Sequence, residues 1–255
     1  CYLWVDATYV KCRVGGRSVS QAVVTAIALG EDGRKRLVGL DCVDTESYAD
    51  WRAFLASVRS RGLSGLVLCV SDDHKGLVRA LAEVFQGCAW QRCTVHLQRN
   101  LSAKVRSAKN ERLVRELAKA VFAEGDPLVC RAAYGRACAA MRAAGEAGCA
   151  ELLEAARDDA LQCLSLPGEH WRRVRTNNVQ ERANREIKRR YRSVQSFPSR
   201  ESLLRLVGAV MLEEEGDWWH HRVFSPESAA LAWEAPSAPA PDGALARAIA
   251  EADRR

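Results

Sequence analysis

Three acidic residues stand where a carboxylate can take part in chemistry. Asp6 interrupts an apolar and aromatic segment, Asp72 closely follows the apolar run that ends at Val70, and Glu181 lies within a strongly basic segment. Residues 171–200 contain ten Lys or Arg against two acids, a local balance of +8, although the whole chain carries only +6. Carboxylates are the hard oxygen ligands that suit Mg²⁺ or Mn²⁺, and a dense basic surface attracts polyanions. If the acids converge, these residue types indicate metal-dependent chemistry on a polyanion.

Each acid also has an ordinary structural explanation. Asp6 can be an outward-facing strand residue, and Asp72 or Asp73 can cap the helix that follows. The segment Asn178-Val-Gln-Glu181 has the spacing of a capping box, in which the acid bonds back to the backbone N–H of the capping residue. A basic helix face is commonly just solvated. The fold must therefore decide whether the three acids form a site.

The N-terminal part of the chain has the pattern of a sheet. Three segments rich in β-branched and aromatic residues, separated by short turns, predict an antiparallel meander. A capped helix ending at Gly62, a short all-apolar strand, a second helix through about Phe85 and a fifth strand follow. The predicted strands cover residues 2–14, 19–29, 35–43, 66–70 and 89–95.

This order of elements is the one expected of a ribonuclease H-like fold, an α/β architecture with a five-stranded mixed sheet flanked by helices. In that fold the first and fourth strands are neighbours, so Asp6 and Asp72 would lie side by side. Glu181 lies off the apolar stripe of its own predicted helix, so it can point to the same edge of the sheet. Two divalent ions there would activate an attacking oxygen and stabilise a leaving one in phosphodiester chemistry. The stripe consists of Val179, Ala183, Ile187, Tyr191 and Val194.

The rest of the chain predicts helices and a tail. An Ala-, Arg- and Glu-rich stretch with helical periodicity predicts an all-α insertion before the helix of Glu181, and a further amphipathic helix is expected over 201–215. The Pro-rich C-terminal segment predicts a loosely ordered tail with a short helix near 243–253. The predicted parts are 1–97 and 169–222 for the core, 98–168 for the insertion and 223–255 for the tail.

Taken together, these segments resemble the bacterial mutator-type transposases of insertion sequences, which carry a DDE catalytic triad. The resemblance covers about residues 1–220 in the correct order. It rests on Val5-Asp6-Ala-Thr-Tyr-Val-Lys11, Val70-Ser-Asp72-Asp-His-Lys-Gly-Leu77, Gln91-Arg-Cys93-Thr-Val-His96-Leu-Gln-Arg-Asn100, Thr176-Asn-Asn-Val-Gln-Glu181-Arg-Ala-Asn-Arg-Glu-Ile-Lys-Arg-Arg190 and Ser196-Phe-Pro198.

The resemblance implies that Asp6, Asp72 and Glu181 are the catalytic ligands of Mg²⁺ or Mn²⁺. It identifies Cys93 and His96 as the Cys-x-x-His signature, and we expect His96 near the active site. The implied activity is DNA cleavage at transposon ends followed by transfer of the 3′-hydroxyls into target DNA, by an assembly that is at least a dimer. The basic residues expected to bind DNA are Arg175, Arg182, Arg185, Lys188, Arg189 and Arg192.

Two positions depart from the family pattern. Asp73 stands where the family often has Gly, so a second carboxylate can compete for the metal site or supplement it. Gln180 stands where an apolar residue is common, and we expect a harmless change on a surface turn. A zinc site at Cys93 and His96 is disfavoured, because a structural zinc site needs four ligands and no second Cys/His pair stands nearby.

Two further features stay open. His74 can contact DNA or be a solvated residue of a first helical turn. The pair Trp218-Trp219 can stack on flipped bases, although core packing is the more common use of tryptophan.

Composition sets the remaining expectations. At 255 residues with 48% hydrophobic content, the chain can bury a substantial core. It has no apolar run of about 18 residues and no signal-peptide pattern, so we expect no membrane partner and a cytoplasmic, nucleoid-associated location. Its ten scattered cysteines predict reduced thiols. The chain starts at Cys1 inside a strand-like segment, which indicates a fragment of a longer protein.

Two alternative functions remain at this stage. A ribonuclease H-like nuclease would cut DNA without joining it, and a non-catalytic remnant of a transposase would bind DNA without cutting it.

Overall fold

The computed structural model describes residues 1–123 and 126–234, and their centre is a five-stranded mixed sheet flanked by helices. The strands are β1 (Tyr2–Val14), β2 (Arg17–Leu29), β3 (Lys35–Val43), β4 (Leu68–Ser71) and β5 (Ala89–Arg92). Their order is β3-β2-β1-β4-β5, in which the first three strands pair antiparallel and β1, β4 and β5 pair parallel. This is a ribonuclease H-like α/β fold, and the predicted meander and the adjacency of the first and fourth strands are confirmed.

Strands β1 and β2 form a long hairpin. Val14 pairs with Arg17, so Gly15 and Gly16 make a two-residue turn, with φ values of 58° and 79°. Positive φ at both turn positions is typical of a type I′ turn, whose twist matches that of the strands. Because β4 pairs only with residues 2–4 of β1, the hairpin projects well beyond the parallel part of the sheet.

Helices cover both faces of the sheet and fill the segment between β5 and residue 178. They are α1 (Tyr48–Ser60), α2 (Lys75–Val84), α3 (Thr94–Lys104), α4 (Glu111–Val121), α5 (Pro127–Ala143), α6 (Ala147–Ala155), α7 (Arg157–Ala160), α8 (Gly168–Val174), α9 (Asn178–Val194), α10 (Arg200–Trp219) and α11 (Pro226–Glu234). Two short 3₁₀ turns lie at Ala108–Asn110 and Gln162–Ser165.

The two faces of the sheet have separate apolar cores. On one face Leu3 and Val5 of β1 pack with Trp51 of α1 and Leu77 of α2. On the other face strand residues pack against α9 and α10; this cluster includes Val10, Cys12, Val23, Ile27, Ala183, Ile187, Val207 and Met211. Strand residues alternate between the two clusters because successive side chains point to opposite faces. The sheet is thereby fixed between α1 and α2 on one side and α9 and α10 on the other.

The helices between β5 and α9 have a core of their own. It joins Leu101 of α3, Val114 of α4, Tyr134 of α5 and Leu153 of α6. The Tyr134 hydroxyl donates a hydrogen bond of 2.6 Å to the Leu153 carbonyl, which links α5 to α6. A separate cluster lets this helical insertion pack without enlarging the core of the sheet.

Several predicted boundaries are wrong. β5 ends at Arg92 and α3 begins at Thr94, so His96 lies in a helix rather than just after a strand. β-branched Val95 suggested a longer strand, but tertiary packing overrides so weak a preference. Likewise α10 continues to Trp219, beyond the predicted 201–215, and Val194 at the end of the α9 stripe is 40% exposed.

The tail also differs from the prediction over its first residues. Residues 226–234 form α11, which buries Ala229 and Ala232 against the sheet-side cluster. The Ser225 hydroxyl accepts a hydrogen bond of 3.1 Å from the Ser228 amide, and Pro226 begins the helix, which is a common N-terminal pattern. The short helix predicted near 243–253 lies outside the described residues.

All ten cysteines are free thiols, as expected, and nine are buried. No helix among the described residues has the length and apolar character needed to cross a membrane.

Candidate active site

One cavity brings the three acids together. It has a volume of about 630 Å³ and lies where β4 ends and α9 crosses β1. It is lined by Asp6, Ala7, Thr8, Asp72, His96, Arg99, Glu181, Asn184, Arg185, Glu186, Lys188, Arg189 and Arg192. The three predicted acids therefore line the same cavity as His96 and four of the predicted basic residues.

Asp6 is the most buried of the three acids, at 8% exposure. The Ala7 amide donates to its Oδ1 over 3.0 Å, and the Asn184 side-chain amide donates to its Oδ2 over 2.8 Å. Burial, followed by the negative charge of Asp72, raises the pKa of Asp6 from an ordinary 3.8 to about 7. A buried carboxylate close to a second carboxylate is in an environment that favours either a proton or a metal cation.

Asp72 reaches the cavity because β4 pairs in parallel beside β1 and ends at Ser71. Its neighbour Asp73 turns away, and Asp73 Oδ2 lies 2.8 Å from Nη1 of the buried Arg92. The helix cap is His74, whose ring accepts a hydrogen bond of 3.4 Å from the Leu77 amide. His74 rather than either aspartate therefore holds the cap position of α2, and Asp73 does not line the cavity.

Glu181 projects into the cavity from the first turn of α9. The capping-box explanation is wrong, because α9 begins at Asn178 after Asn177 and the start has no side-chain capping bond. Instead Glu181 Oε1 lies 2.8 Å from Arg99 Nη2, an ion pair without hydrogen-bond geometry, and 3.8 Å from His96 Nε2. A cation of the protein thus occupies the position beside the third acid.

Gln180 holds α9 against the sheet, so its expected place on a surface turn is wrong. The residue is fully buried. Its side-chain amide donates to the carbonyls of Trp4 (2.7 Å) and Thr25 (3.1 Å), and its oxygen accepts from the Thr25 hydroxyl at 2.8 Å. An apolar side chain there could not satisfy these buried polar groups. Through these bonds Gln180 fixes the position of the adjacent Glu181 relative to β1.

Cys93 fixes the start of the same helix. Its buried thiol sulfur accepts a hydrogen bond of 3.2 Å from the Asn177 amide, and the Asn177 side chain donates over 3.2 Å to the Val5 carbonyl. Burial raises the pKa of the Cys93 thiol. The first residue of the Cys-x-x-His motif therefore holds the start of α9 in place, while His96, about one helical turn later, faces Glu181.

The predicted basic residues divide into two groups. Arg185, Lys188, Arg189 and Arg192 line the cavity, which puts a positive rim around the acids. Arg182 and Arg175 do not: Arg182 Nε lies 3.9 Å from Glu214, and the Arg175 guanidinium donates to the Phe122 carbonyl of the insertion.

The oxygen atoms that line the cavity are of the kind that ligates a hard divalent cation. Besides the carboxylates, Glu181 Oε1 and Asn184 Oδ1 are buried oxygens without a hydrogen-bond donor. Glu181 is nevertheless paired with Arg99, and within residues 1–123 and 126–234 no group of three His, Cys, Asp or Glu side chains is arranged to hold a metal ion. The acids share a cavity without a closed coordination shell, and a cation would have to displace the Arg99 guanidinium from Glu181. Cys93 and His96 likewise belong to no such group among the described residues.

Sequence reasoning missed three residues at this site. Asn184 follows Glu181 by three positions and so shares its helix face, which is a signal that periodicity could have used. Arg99 follows His96 by three positions in α3, so these two residues also share a helix face. Glu46, in the loop before α1, lies close enough for its charge to raise the pKa of Asp6, and no spacing pattern could have indicated it.

The two adjacent tryptophans lie away from the cavity. Trp218 is buried in the cluster beneath the sheet, with the Lys35 ammonium 4.7 Å from its ring centre. Trp219 is 54% exposed and lies near the guanidinium groups of Arg34 and Arg36. Core packing is therefore confirmed for Trp218.

A protein-family model matches most of the chain. The family model described as "Transposase, Mutator family" matches residues 1–221, which include every residue of the cavity.

Individual relatives are insertion-sequence proteins. The chain is 35% identical over 223 residues to the transposase for insertion sequence element IS406 of Burkholderia multivorans, covering 88% of this chain and 57% of that protein. It is 37% identical over 223 residues to the transposase for IS1081 of Mycobacterium tuberculosis, covering 88% of this chain and 53% of that protein. It is 32% identical over 230 residues to the transposase for IS256 in transposon Tn4001 of Staphylococcus aureus, covering 85% of this chain and 55% of that protein. The chain spans a little over half the length of these relatives.

Proposed function

The chain belongs to the Mutator family of transposases, and we propose that it is the catalytic part of an enzyme that cuts DNA at the ends of a mobile element and joins the freed 3′-hydroxyls to target DNA. The observation that carries the proposal is the single cavity in which Asp6, Asp72 and Glu181 meet beneath a rim of arginine and lysine. Acids alone would repel a phosphodiester. The combination of acids below and cations above suits a phosphate bound through divalent ions.

In this proposal Asp6, Asp72 and Glu181 would hold Mg²⁺ or Mn²⁺, which would supply charge neutralisation at the phosphate and polarisation of its phosphorus–oxygen bonds. Asn184 fixes the Asp6 carboxylate through its 2.8 Å hydrogen bond. Gln180 fixes the height of Glu181 through its bonds to the sheet. These contacts preorganise the acids, so that little reorganisation is needed when the substrate arrives.

The proposed reaction has two displacements at phosphorus. A water oxygen first attacks the scissile phosphodiester, the bond to the 3′-oxygen breaks, and the element ends in a 3′-hydroxyl. The oxygen of that hydroxyl then attacks a target phosphodiester, and the 3′-oxygen of the target strand leaves. Both steps place an attacking and a leaving oxygen around one phosphate, which explains why one cavity can serve both.

The rim residues hold the DNA backbone. Arg185, Lys188, Arg189 and Arg192 supply cations that position phosphates without reading the base sequence. Joining two element ends to one target needs two catalytic cavities in one complex, so the active assembly is at least a dimer.

Joining of a precleaved element-end duplex to a plasmid tests the proposal. The protein should form a joined product only with Mg²⁺ or Mn²⁺, and Glu181→Gln should lose it while Glu213→Gln, an exposed α10 glutamate, keeps it. Metal-dependent cutting without joining would identify a nuclease. DNA binding without either product would identify a non-catalytic remnant.

A further inference from the structure

The projecting part of the β1–β2 hairpin has one face that no helix covers. Val10 and Cys12 point to the opposite face and pack into the cluster of α9 and α10. Their neighbours in the strand alternate to the outer face, where Tyr9 is 50% exposed and Lys11 and Arg13 are exposed as well. Helices α1 and α2 cover that side of β1 only as far as Ala7. The strand therefore presents an open outer face from Tyr9 onward.

The hairpin itself is basic. Residues 8–21 contain Lys11, Arg13 and Arg17 and neither Asp nor Glu. Within the described chain none of these three side chains makes an ion pair. Across the hairpin Ser20 lies opposite Lys11 and Ser18 lies opposite Arg13, so the outer face carries two cations, while Arg17 pairs with Val14 at the tip and lies on the other side. Unpaired cations on an exposed strand are free to bind an anionic partner.

The outer face starts at the mouth of the cavity. Thr8 lines the cavity, and the next residue, Tyr9, lies close to Glu46, whose charge helps to raise the pKa of the Tyr9 hydroxyl and also acts on Asp6. From Tyr9 to Arg13 the strand advances about 14 Å at roughly 3.4 Å per residue, the axial length of about four base pairs. The positive charges therefore extend away from the cavity over a distance that matches about four base pairs of duplex DNA.

We propose that the outer hairpin face, formed by Tyr9, Lys11 and Arg13, and the hairpin tip at Arg17 together make a second DNA-binding surface. Its occupant is the backbone of the same duplex whose phosphodiester lies in the cavity. The inference rests on the proposed function and extends it. The α9 cations hold phosphates at the reacting position, whereas the hairpin holds the flanking duplex and fixes its direction of exit.

Salt dependence of DNA binding tests this surface. The variant Lys11→Gln/Arg13→Gln/Arg17→Gln is compared with wild type by fluorescence anisotropy of a labelled element-end duplex in EDTA, over a range of salt concentrations. Each phosphate contact contributes about 0.9 to the slope of log affinity against log salt, so the slope should fall by about 2 to 3. Affinity near 0.1 M salt should fall at least about tenfold. Arg13→Gln alone should lower the slope by about 1.

Two matched variants complete the experiment. Exposed arginines of the insertion supply the control Arg112→Gln/Arg131→Gln/Arg136→Gln, which removes the same charge and should leave slope and affinity nearly unchanged. The variant Lys11→Arg/Arg13→Lys/Arg17→Lys keeps the charge and should bind like wild type.

Unchanged binding by the hairpin variant, or an equal loss in the insertion control, overturns the inference. If wild type still gives metal-dependent cleavage in either case, the proposed function stands alone. A wild-type protein that neither binds nor cleaves the duplex contradicts both.

Discussion

At the scale of single residues, Asp6 has the least ordinary environment in the cavity. It is nearly buried, it accepts two hydrogen bonds, and Asp72 adds negative charge beside it. A pKa near 7 means that the folded protein binds a proton there over a pH range in which the unfolded chain does not. The residue therefore lowers stability as pH rises, which is the reverse of a salt-bridged aspartate.

Replacing Asp6 with asparagine should remove this pH dependence. The unfolded carboxyl loses its proton near pH 3.8 and the folded one near 7, so the penalty grows between these values and is complete above 7. Asp6→Asn should gain on the order of 2 to 3 kcal/mol of unfolding free energy relative to wild type between pH 5 and pH 8. Urea unfolding without divalent ions measures it, with the exposed Asp217→Asn as control. A difference that stays flat with pH would contradict the assignment.

Arg99 should compete with metal ions for Glu181. The guanidinium is 61% exposed, and such ion pairs are worth about 0.2 to 1 kcal/mol, so without DNA Arg99→Gln should tighten Mn²⁺ binding by a factor of about 1.4 to 5. Calorimetric titration gives the affinity. Arg189→Gln is the control, because Arg189 also lines the cavity and pairs with another acid, Glu186, at 2.7 Å. An equal or smaller gain for Arg99→Gln would show that it has no special relation to the metal.

At the scale of elements, α9 shows what the sequence could and could not reveal. Its start, its basic character and the direction of Glu181 follow from periodicity and composition. The burial of Gln180 does not, because a polar residue on a helix usually faces solvent and only the packed sheet presents the partners that bury it. The same holds for Cys93, whose role depends on a backbone amide 84 positions away.

Loss of the Gln180 contacts should loosen α9. Gln180→Leu keeps the volume roughly but leaves buried sheet groups without partners, so we expect a loss of about 2 to 4 kcal/mol in unfolding free energy. Ser193→Leu, an exposed change on the same helix, should stay within about 0.5 kcal/mol of wild type. Chemical denaturation of both variants compares them. If Gln180→Leu were no more harmful than Ser193→Leu, α9 would not depend on this amide.

At the scale of the whole molecule, the order of elements was sufficient to predict the sheet topology, and with it the meeting of Asp6 and Asp72. Glycine turns and strand–helix alternation are local signals, and few topologies fit them in that order. The boundary errors at β5 and at α11 have another origin, because each depends on where the chain finds a packing surface. The separate core of the helical insertion and the open outer face of the hairpin likewise depend on tertiary arrangement.

If the acids of the cavity bind the metal ions of DNA cleavage, as we propose, replacing one of them with a softer ligand should change the metal preference of the enzyme. Asp72→Cys replaces a hard oxygen ligand with a softer thiolate, which Mg²⁺ tolerates poorly and Mn²⁺ tolerates better. Asp73→Cys is the matched control, because the adjacent Asp73 pairs with Arg92 outside the cavity. Cleavage of the element-end duplex is measured in each metal.

Asp72→Cys is expected to lose cleavage in Mg²⁺ and to recover a substantial part of it in Mn²⁺, while Asp73→Cys should respond equally to both metals. Full activity of Asp72→Cys in Mg²⁺, or a metal-dependent rescue of Asp73→Cys instead, would contradict the proposal.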